Sequence, residues 1–477
     1  MGVFSNFAII KLSPCYTDQC FITRLPLIQC CLPGLFPLGR PRSSWPAVAS
    51  RAEEDDDDNG DNDNDKTRLS KEQIEDLKRA FEKGSFSDLS ERLQDALHFL
   101  ENICLDVGVT GEPGAGKSTF INTFLDLHEE DVGAAPTSGA GTSKDPVAYS
   151  HPKYTNVVLW DLPSISAPGF SVRTYLEEIK VSRYDCFIIL ASQRFTSAHA
   201  KLSRHIKKAG KDVYFVLSKV DAELEAARQS QPSGFSEVVA LQKIREACVQ
   251  DLQAERVKAP KVFLISSVVA SKYDFPLLGE SLSETQGVQK SHSFILATPN
   301  ISHRILEKKK AAMVEHMWLV SAVACGQQAV PIPALSIACN VDLLAKTLQG
   351  YCVSFGLDDS SLRKAAEHTG QPLEQLKALV KSPLAVAITE EQVVELLMEA
   401  ASKALKLPRD LVPVAEVGPS FTVVYNMLKI FVDEAVADAH RVLLKVFMSH
   451  RPRSESDQHV VSPGGSRGII SPRDTET

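Results

Sequence analysis

The sequence predicts an α/β domain built on a parallel sheet, joined to an all-α domain drawn from segments before and after it. Three observations predict this. Residues 105–124 read as a short apolar strand, a glycine-rich loop and a helix. From there to Leu278, short apolar strands alternate with helical stretches, the pattern of a parallel sheet. Residues 301–448 carry helical periods and almost no strand signal.

At 477 residues the chain has room for two or three domains and a sizeable core. Its 44% hydrophobic and 23% charged content is that of a soluble globular protein. The net charge of −8 is concentrated in one place, because Glu53 to Asp65 holds nine acidic residues and no basic one. Nothing is basic enough to suggest nucleic acid. The ten cysteines form no CxxC pair, which fits reduced thiols in the cytosol rather than disulfides or zinc.

Residues 1–50 read as a disordered leader, with six prolines and no helical period. The longest early apolar run, residues 7–10, is too short for a secretory signal. Met1-Gly2 invites myristoylation, but Asn6 stands where Ser or Thr is wanted. Cys30-Cys31 reads as two unmodified thiols, with palmitoylation the alternative. Residues 51–66 form an acidic linker. Asp55, Asp57, Asn59 and Gly60 imitate a calcium loop, but Lys66 falls where a bidentate Glu is required.

Residues 67–102 form helices whose apolar positions are Ile74, Leu77 and Phe81, then Leu89, Leu93, Leu97 and Leu100, broken at Gly84-Ser85. The α/β domain follows over residues 103–284, with strands expected at 157–160, 186–191, 213–217 and 262–265. Residues 285–450 form the C-terminal helical part, ending in a long helix striped by Phe421, Val424, Leu428, Phe431, Val432 and Ala435. The charge-free stretch from His316 to Val341 imitates a membrane span, but Pro331 and Pro333 divide it. It is expected to be a pair of buried helices around a proline turn. Residues 451–477 form a disordered tail.

The chemistry centres on Gly111-Glu112-Pro113-Gly114-Ala115-Gly116-Lys117-Ser118-Thr119, which satisfies the P-loop pattern between a strand and a helix. Glycines let consecutive N–H groups face a polyphosphate, and the helix N-terminus adds its positive end. Lys117 would reach the β- and γ-phosphates, and Ser118 would ligate Mg²⁺. These two are the candidate catalytic residues. The other reading of this stretch, a plain glycine turn, explains neither the Lys-Ser pair nor both flanks.

Later strand ends select the base. Ser218-Lys219-Val220-Asp221 stands where guanine-binding proteins carry [N/T]KxD. Asp221 would accept from the N1–H and the exocyclic amine of guanine, and the Lys219 stem would cover the base plane. Ser266-Ser267 fits the loop whose backbone meets guanine O6. Asp161-Leu162-Pro163-Ser164 fits the DxxG position, where Asp161 would hold Mg²⁺ through water. Ser164 replaces the glycine, and Ile165 occupies the place of a water-orienting Gln. The expected ligand is therefore GTP or GDP with Mg²⁺.

With these residues the chain resembles the immunity-related GTPases, the interferon-inducible p47 family of dynamin-like GTPases, and within it a fish-type member. The resemblance rests on residues 102–122, on His151-Pro152 with residues 156–163, on residues 218–221, on Lys272-Tyr273-Asp274-Phe275-Pro276-Leu277-Leu278, and on residues 296–310. It covers roughly residues 69–450. It implies a Ras-like P-loop GTPase domain with a helical domain built from segments before and after it. It also implies GTP-dependent self-association, as a homodimer, an oligomer or a mixed assembly with related GTPases. The place of action would be the cytoplasm, peripheral to intracellular membranes, in cell-autonomous immunity.

The family's first switch is matched by Thr137, Thr142 and Ser143, with Ser164 in the second. Gly141 stands where the family has an acidic residue tied to catalysis in the dimer. Lys117 places the chain with the GKS class. Two readings follow: a GTP-hydrolysing effector that self-associates on membranes, with slow, dimer-stimulated turnover, or a hydrolysis-poor scaffold forming mixed dimers.

Overall fold

A six-stranded sheet carries the first half of the fold, in the order β2-β3-β1-β4-β5-β6. The computed structural model describes residues 71–83, 86–137, 145–165, 171–230, 234–285, 287–326, 329–332, 335–382, 388–404 and 418–449. The readings of the leader, acidic linker, tail and Gly84-Ser85 break lie outside them, as do Thr142, Ser143 and Gly141. The strands are β1 (Leu105–Gly111), β2 (Val147–Ser150), β3 (Val157–Asp161), β4 (Cys186–Ala191), β5 (Asp212–Leu217) and β6 (Val262–Leu264). Every neighbouring pair is parallel except β2 with β3. β2 was not expected, since its side chains are mostly exposed and show no apolar alternation.

Alternation along the inner strands feeds two cores. Ile188 and Leu190 join Val107, Val109, Phe120, Phe124 and Phe275 on one face, against α3 (Lys117–Leu125), α8 (Phe275–Thr285) and α9 (Gly287–Ala297). Phe187 and Ile189 join Trp160, Phe215, Leu202 and Val220 on the other, with α4 (Val172–Ile179), α5 (Ser197–Lys208), α6 (Val220–Ser230) and α7 (Glu237–Ala254). With both faces covered, β4 is buried at every residue, which is why it reads as an unbroken apolar run.

A third core is helical. Leu77, Phe81, Leu89, Leu93, Leu97 and Leu100 come from α1 (Lys71–Glu82) and α2 (Phe86–Asn102), which precede β1. They pack with residues of α10 (His303–Ala324), α11 (Val341–Ser354), α14 (Glu390–Ala404) and α15 (Pro419–Ser449). Between these run α12 (Asp359–Thr369) and α13 (Leu373–Lys377). Phe81 lies 5.5 Å from Trp318 and 5.2 Å from Phe421, ring centre to ring centre.

The stretch from His316 to Val341 is not a pair of helices. α10 ends at Ala324, and an antiparallel hairpin follows, β7 (Val330–Ile332) with β8 (Ile337–Cys339). Pro331 sits in β7, where a two-stranded ribbon has an open side that needs no donor. Among the described residues no helix is long and apolar enough to cross a membrane.

Polar contacts join the sheet to the helices. Tyr154 and Ser354 share a 2.5 Å hydroxyl contact, and Lys153 pairs with Asp358 at 3.4 Å. Lys309, 2% exposed, donates to the Ser354 carbonyl at 2.9 Å. Burial holds its ammonium well below the usual lysine range. Lys364 of α12 reaches the Asp126 carbonyl at 2.9 Å and Asp131 at 3.3 Å, beyond the end of α3.

Truncating a fully buried aromatic removes its transfer energy and leaves a cavity, together about 3–5 kcal/mol. Phe81→Ala should therefore lower the urea midpoint of the helical core markedly. An unchanged midpoint would mean that α1 contributes nothing to that core.

Candidate nucleotide site

The loop begins where β1 can go no further. At Gly111 an added Cβ would meet the Leu190 carbonyl oxygen at 2.2 Å, so only glycine fits this approach to β4. The loop ends at Gly116, which caps α3 in the left-handed region at φ 83°. Lys117, Ser118 and Thr119 then form the first turn of α3. Pro113, Gly114 and Thr119 are exposed, and Ala115 is buried.

Lys117 Nζ donates to Ser164 Oγ at 2.9 Å and to the Glu112 carbonyl at 3.4 Å. Burial lowers its pKa, and the Asp161 and Glu112 carboxylates oppose that. Ser118 Oγ donates to Asp161 Oδ2 at 3.1 Å. Burial raises the Asp161 pKa, against the pull of Lys117 and the Ser118 hydrogen bond. The predicted phosphate and metal residues thus meet across the ends of β1 and β3.

The residues expected to meet guanine hold the loop itself. Ser218 is buried and donates from Oγ to the Ala115 carbonyl at 2.6 Å, with the Ala191 carbonyl at 3.2 Å. Lys219, left-handed at φ 58°, donates from Nζ to the Gly114 carbonyl at 2.9 Å. Asp221 is half-buried in the first turn of α6, where the helix dipole favours a carboxylate. Ser266 is fully buried and accepts at Oγ from the N–H groups of Val268 at 3.3 Å and Val269 at 3.2 Å. The Ser267 carbonyl accepts from Thr123 of α3 at 3.1 Å. Ser218 to Asp221 follow β5, and Ser266 and Ser267 follow β6, at the carboxyl ends of two neighbouring parallel strands. Thr137 is half-buried, at the end of its described segment.

Two further anchors escape a reading of the sequence. Glu112 Oε1 accepts from the N–H of Ser192 at 3.0 Å and from its hydroxyl at 3.1 Å, fastening the loop to the end of β4. Asn122, buried in α3, exchanges two hydrogen bonds with the Ala135 backbone, at 2.8 and 2.7 Å, just before Thr137. A buried amide in an otherwise apolar helix face was the one available signal for Asn122. For Ser192, 80 residues from Glu112, there was none.

The family model for interferon-inducible GTPases (IIGP) matches residues 70–446. The chain belongs to the interferon-inducible GTPase family. Interferon-inducible GTPase 5 of Rattus norvegicus is 38% identical over 394 residues, 81% of this chain and 85% of that protein. Interferon-gamma-inducible GTPase 10 of Mus musculus is 33% identical over 390 residues, 81% and 92% of the two chains. Among solved structures, Toc33 of Arabidopsis thaliana with Mg²⁺ and GMPPNP aligns at 16% identity and a TM-score of 0.27, over 39% of this chain and 82% of that one.

Ser164 gives Lys117 a partner that a glycine at this position could not supply. A phosphate drawing on Lys117 must compete with that hydroxyl, and a hydrogen bond to a charged group is worth about 1.5–3 kcal/mol. Ser164→Ala should tighten binding of a fluorescent GTP analogue by ~10-fold or more. Weaker binding in that variant would show that the hydroxyl assists the ligand.

Proposed function

We propose that the protein binds GTP with Mg²⁺ at the loop 111–119, hydrolyses it slowly, and self-associates in its GTP-bound form at intracellular membranes. The observation that carries this reading is the convergence of Lys117, Ser118, Asp161 and Ser164 beneath a loop clamped by Ser218 and Lys219. Ser118 Oγ and Asp161 Oδ2, 3.1 Å apart, are hard oxygen donors that fit Mg²⁺, which when bound would neutralise phosphate charge. Lys117 would neutralise charge beside them, and the α3 N-terminus would offer its N–H groups. Asp221 would read the base, with Ser266 and Ser267 shaping the adjoining loop.

Ile165 bears on how hydrolysis is organised. It is fully buried, and its N–H bonds to the Gly111 carbonyl at 3.2 Å, so its side chain cannot orient a water. Phosphoryl transfer depends on positioning and charge neutralisation, and a group supplied by a second molecule can be worth ~10³–10⁵ in rate. A dimer across the nucleotide faces, homomeric or with related GTPases, is the arrangement we favour. The family membership supports this reading and an immune role, with membrane association peripheral. The second reading, a hydrolysis-poor regulatory scaffold, is favoured by the two departures in the switch motifs, Gly141 and Ser164, the latter with its contact to Lys117.

Single-turnover hydrolysis measured across protein concentrations separates the two. The effector reading expects a rate that climbs steeply with concentration, and the scaffold reading a flat rate near zero. Lys117→Ala should abolish nucleotide binding and GTP-dependent light scattering together. Asp221→Asn should weaken GTP and admit xanthosine triphosphate, whose C2 oxygen can accept from the new amide. Equal affinity of the wild type for ATP and GTP would defeat the guanine assignment.

A further inference from the structure

Away from the nucleotide loop, three side chains with metal-ligating atoms meet between α10 and α15, the longest helices among the described residues. His303 opens α10, and Glu307 follows one turn later on the same face. His440 faces both from α15. The two histidine Nδ1 atoms lie 2.8 Å apart, and His440 Nε2 lies 3.1 Å from Glu307 Oε1. The candidate ligand atoms of the three residues fall within 4.8 Å of one another.

Both helices are held where they are by packing. Leu306, Val432, Val436 and Ala439 are buried in the helical core, and Ser302 caps α10 by accepting from the Ile305 N–H at 3.2 Å. Lys310 of α10 is paired with Asp433 of α15 at 2.8 Å.

Proton placement decides what the cluster can do. A carboxylate only accepts, so in the neutral imidazole the Glu307 contact puts the hydrogen of His440 on Nε2 and leaves its Nδ1 with a bare lone pair. His303 can donate its Nδ1–H to that lone pair. In its other tautomer it turns a second lone pair toward the same point. Two imidazole lone pairs converging there, one backed by a carboxylate on the far nitrogen, form a ligand set with its orienting partner.

The geometry points to a site for one borderline transition cation of the zinc class, bound by His303 Nδ1 and His440 Nδ1, with Glu307 orienting His440. Solvent oxygens complete the coordination. Imidazole nitrogen suits zinc and its neighbours far better than Mg²⁺, so the site is chemically separate from the Ser118–Asp161 oxygen pair. Bound metal would staple the start of α10 to α15 across 137 residues of chain, stabilising the helical core in proportion to the logarithm of metal concentration. Glu307 is a positioning residue, because it acts through His440.

The test is calorimetric titration of the full chain with Zn²⁺ in excess Mg²⁺, with melting curves on the same samples. Wild type should bind one Zn²⁺ that His303→Ala and His440→Gln both lose, along with the zinc-dependent rise in melting temperature. Glu307→Ala should keep the site with affinity reduced ~10–100-fold. Asp433→Asn, which breaks only the neighbouring ion pair, should bind as wild type does. Both histidines are at the surface or half-exposed, so the variants should fold, and circular dichroism checks this. If wild type and both histidine variants bind the same number of Zn²⁺ ions, or if none binds, the cluster is a hydrogen-bonded chain and the proposal is overturned.

Discussion

The approach of β1 to β4 at Gly111 is the constraint on which the site depends. Gly111 pairs with Leu190, and the space for a Cβ is taken by the Leu190 carbonyl. The Gly111 carbonyl in turn receives the Ile165 N–H, which binds the segment after β3 to the same point. Three strand ends are thereby gathered around one residue without a side chain. The loop that follows must turn away, and it is caught on either side: Glu112 by Ser192, Ala115 by Ser218, Gly114 by Lys219. Each contact uses a carbonyl or carboxylate rather than a loop N–H, and within the loop itself the Ala115 N–H bonds to the Glu112 carbonyl at 3.2 Å.

The same economy appears where the sheet meets the helices. Ser354 is contacted by Tyr154 through its hydroxyl and by Asn300 and Lys309 through its carbonyl. Lys309 could not be buried as a free ammonium at bearable cost. Its depressed pKa and its carbonyl partner are how the fold accommodates it. Lys364 extends this junction to Asp126 and Asp131. Asn122, four residues before Asp126, grips Ala135 next to Thr137. The segment leading to Thr137 is therefore tied by polar contacts to α3, whose C-terminal end is in turn held by α12.

What the sequence disclosed follows from the range of the interactions involved. Strand β4 could be placed to the residue because burial on both faces leaves a continuous apolar run bounded by polar residues. The loop could be placed because glycine spacing and Lys-Ser are local. The edge strand β2 could not, since its exposed residues obey no alternation. The β7–β8 hairpin was hidden for another reason. Its strands are three residues each and lie in a charge-free stretch, where helix and strand patterns look alike. Glu112–Ser192 and Asn122–Ala135 depend on tertiary folding and have no signature in spacing. Asp274 is a related case: a motif residue by resemblance, it holds Arg245 at 2.5 Å and the Leu264 N–H at 2.7 Å, thereby bracing the end of β6.

Ser164 shows why a departure from a motif is not simply a loss. A glycine there would let backbone approach a phosphate but leave Lys117 without this partner. The serine hydroxyl supplies a neutral acceptor to an ammonium that burial already disfavours. It therefore helps keep the lysine charged and pointed across the end of β3, near the carboxylate of Asp161. That carboxylate is itself disfavoured by burial and relies on Lys117 and Ser118. The two charges stabilise each other electrostatically, and each has its own serine partner, Ser164 for Lys117 and Ser118 for Asp161. A ligand that draws Lys117 away must offer more negative charge than the hydroxyl and must also compensate Asp161. A polyphosphate accompanied by a divalent cation meets both demands at once, whereas a lone anion meets only the first.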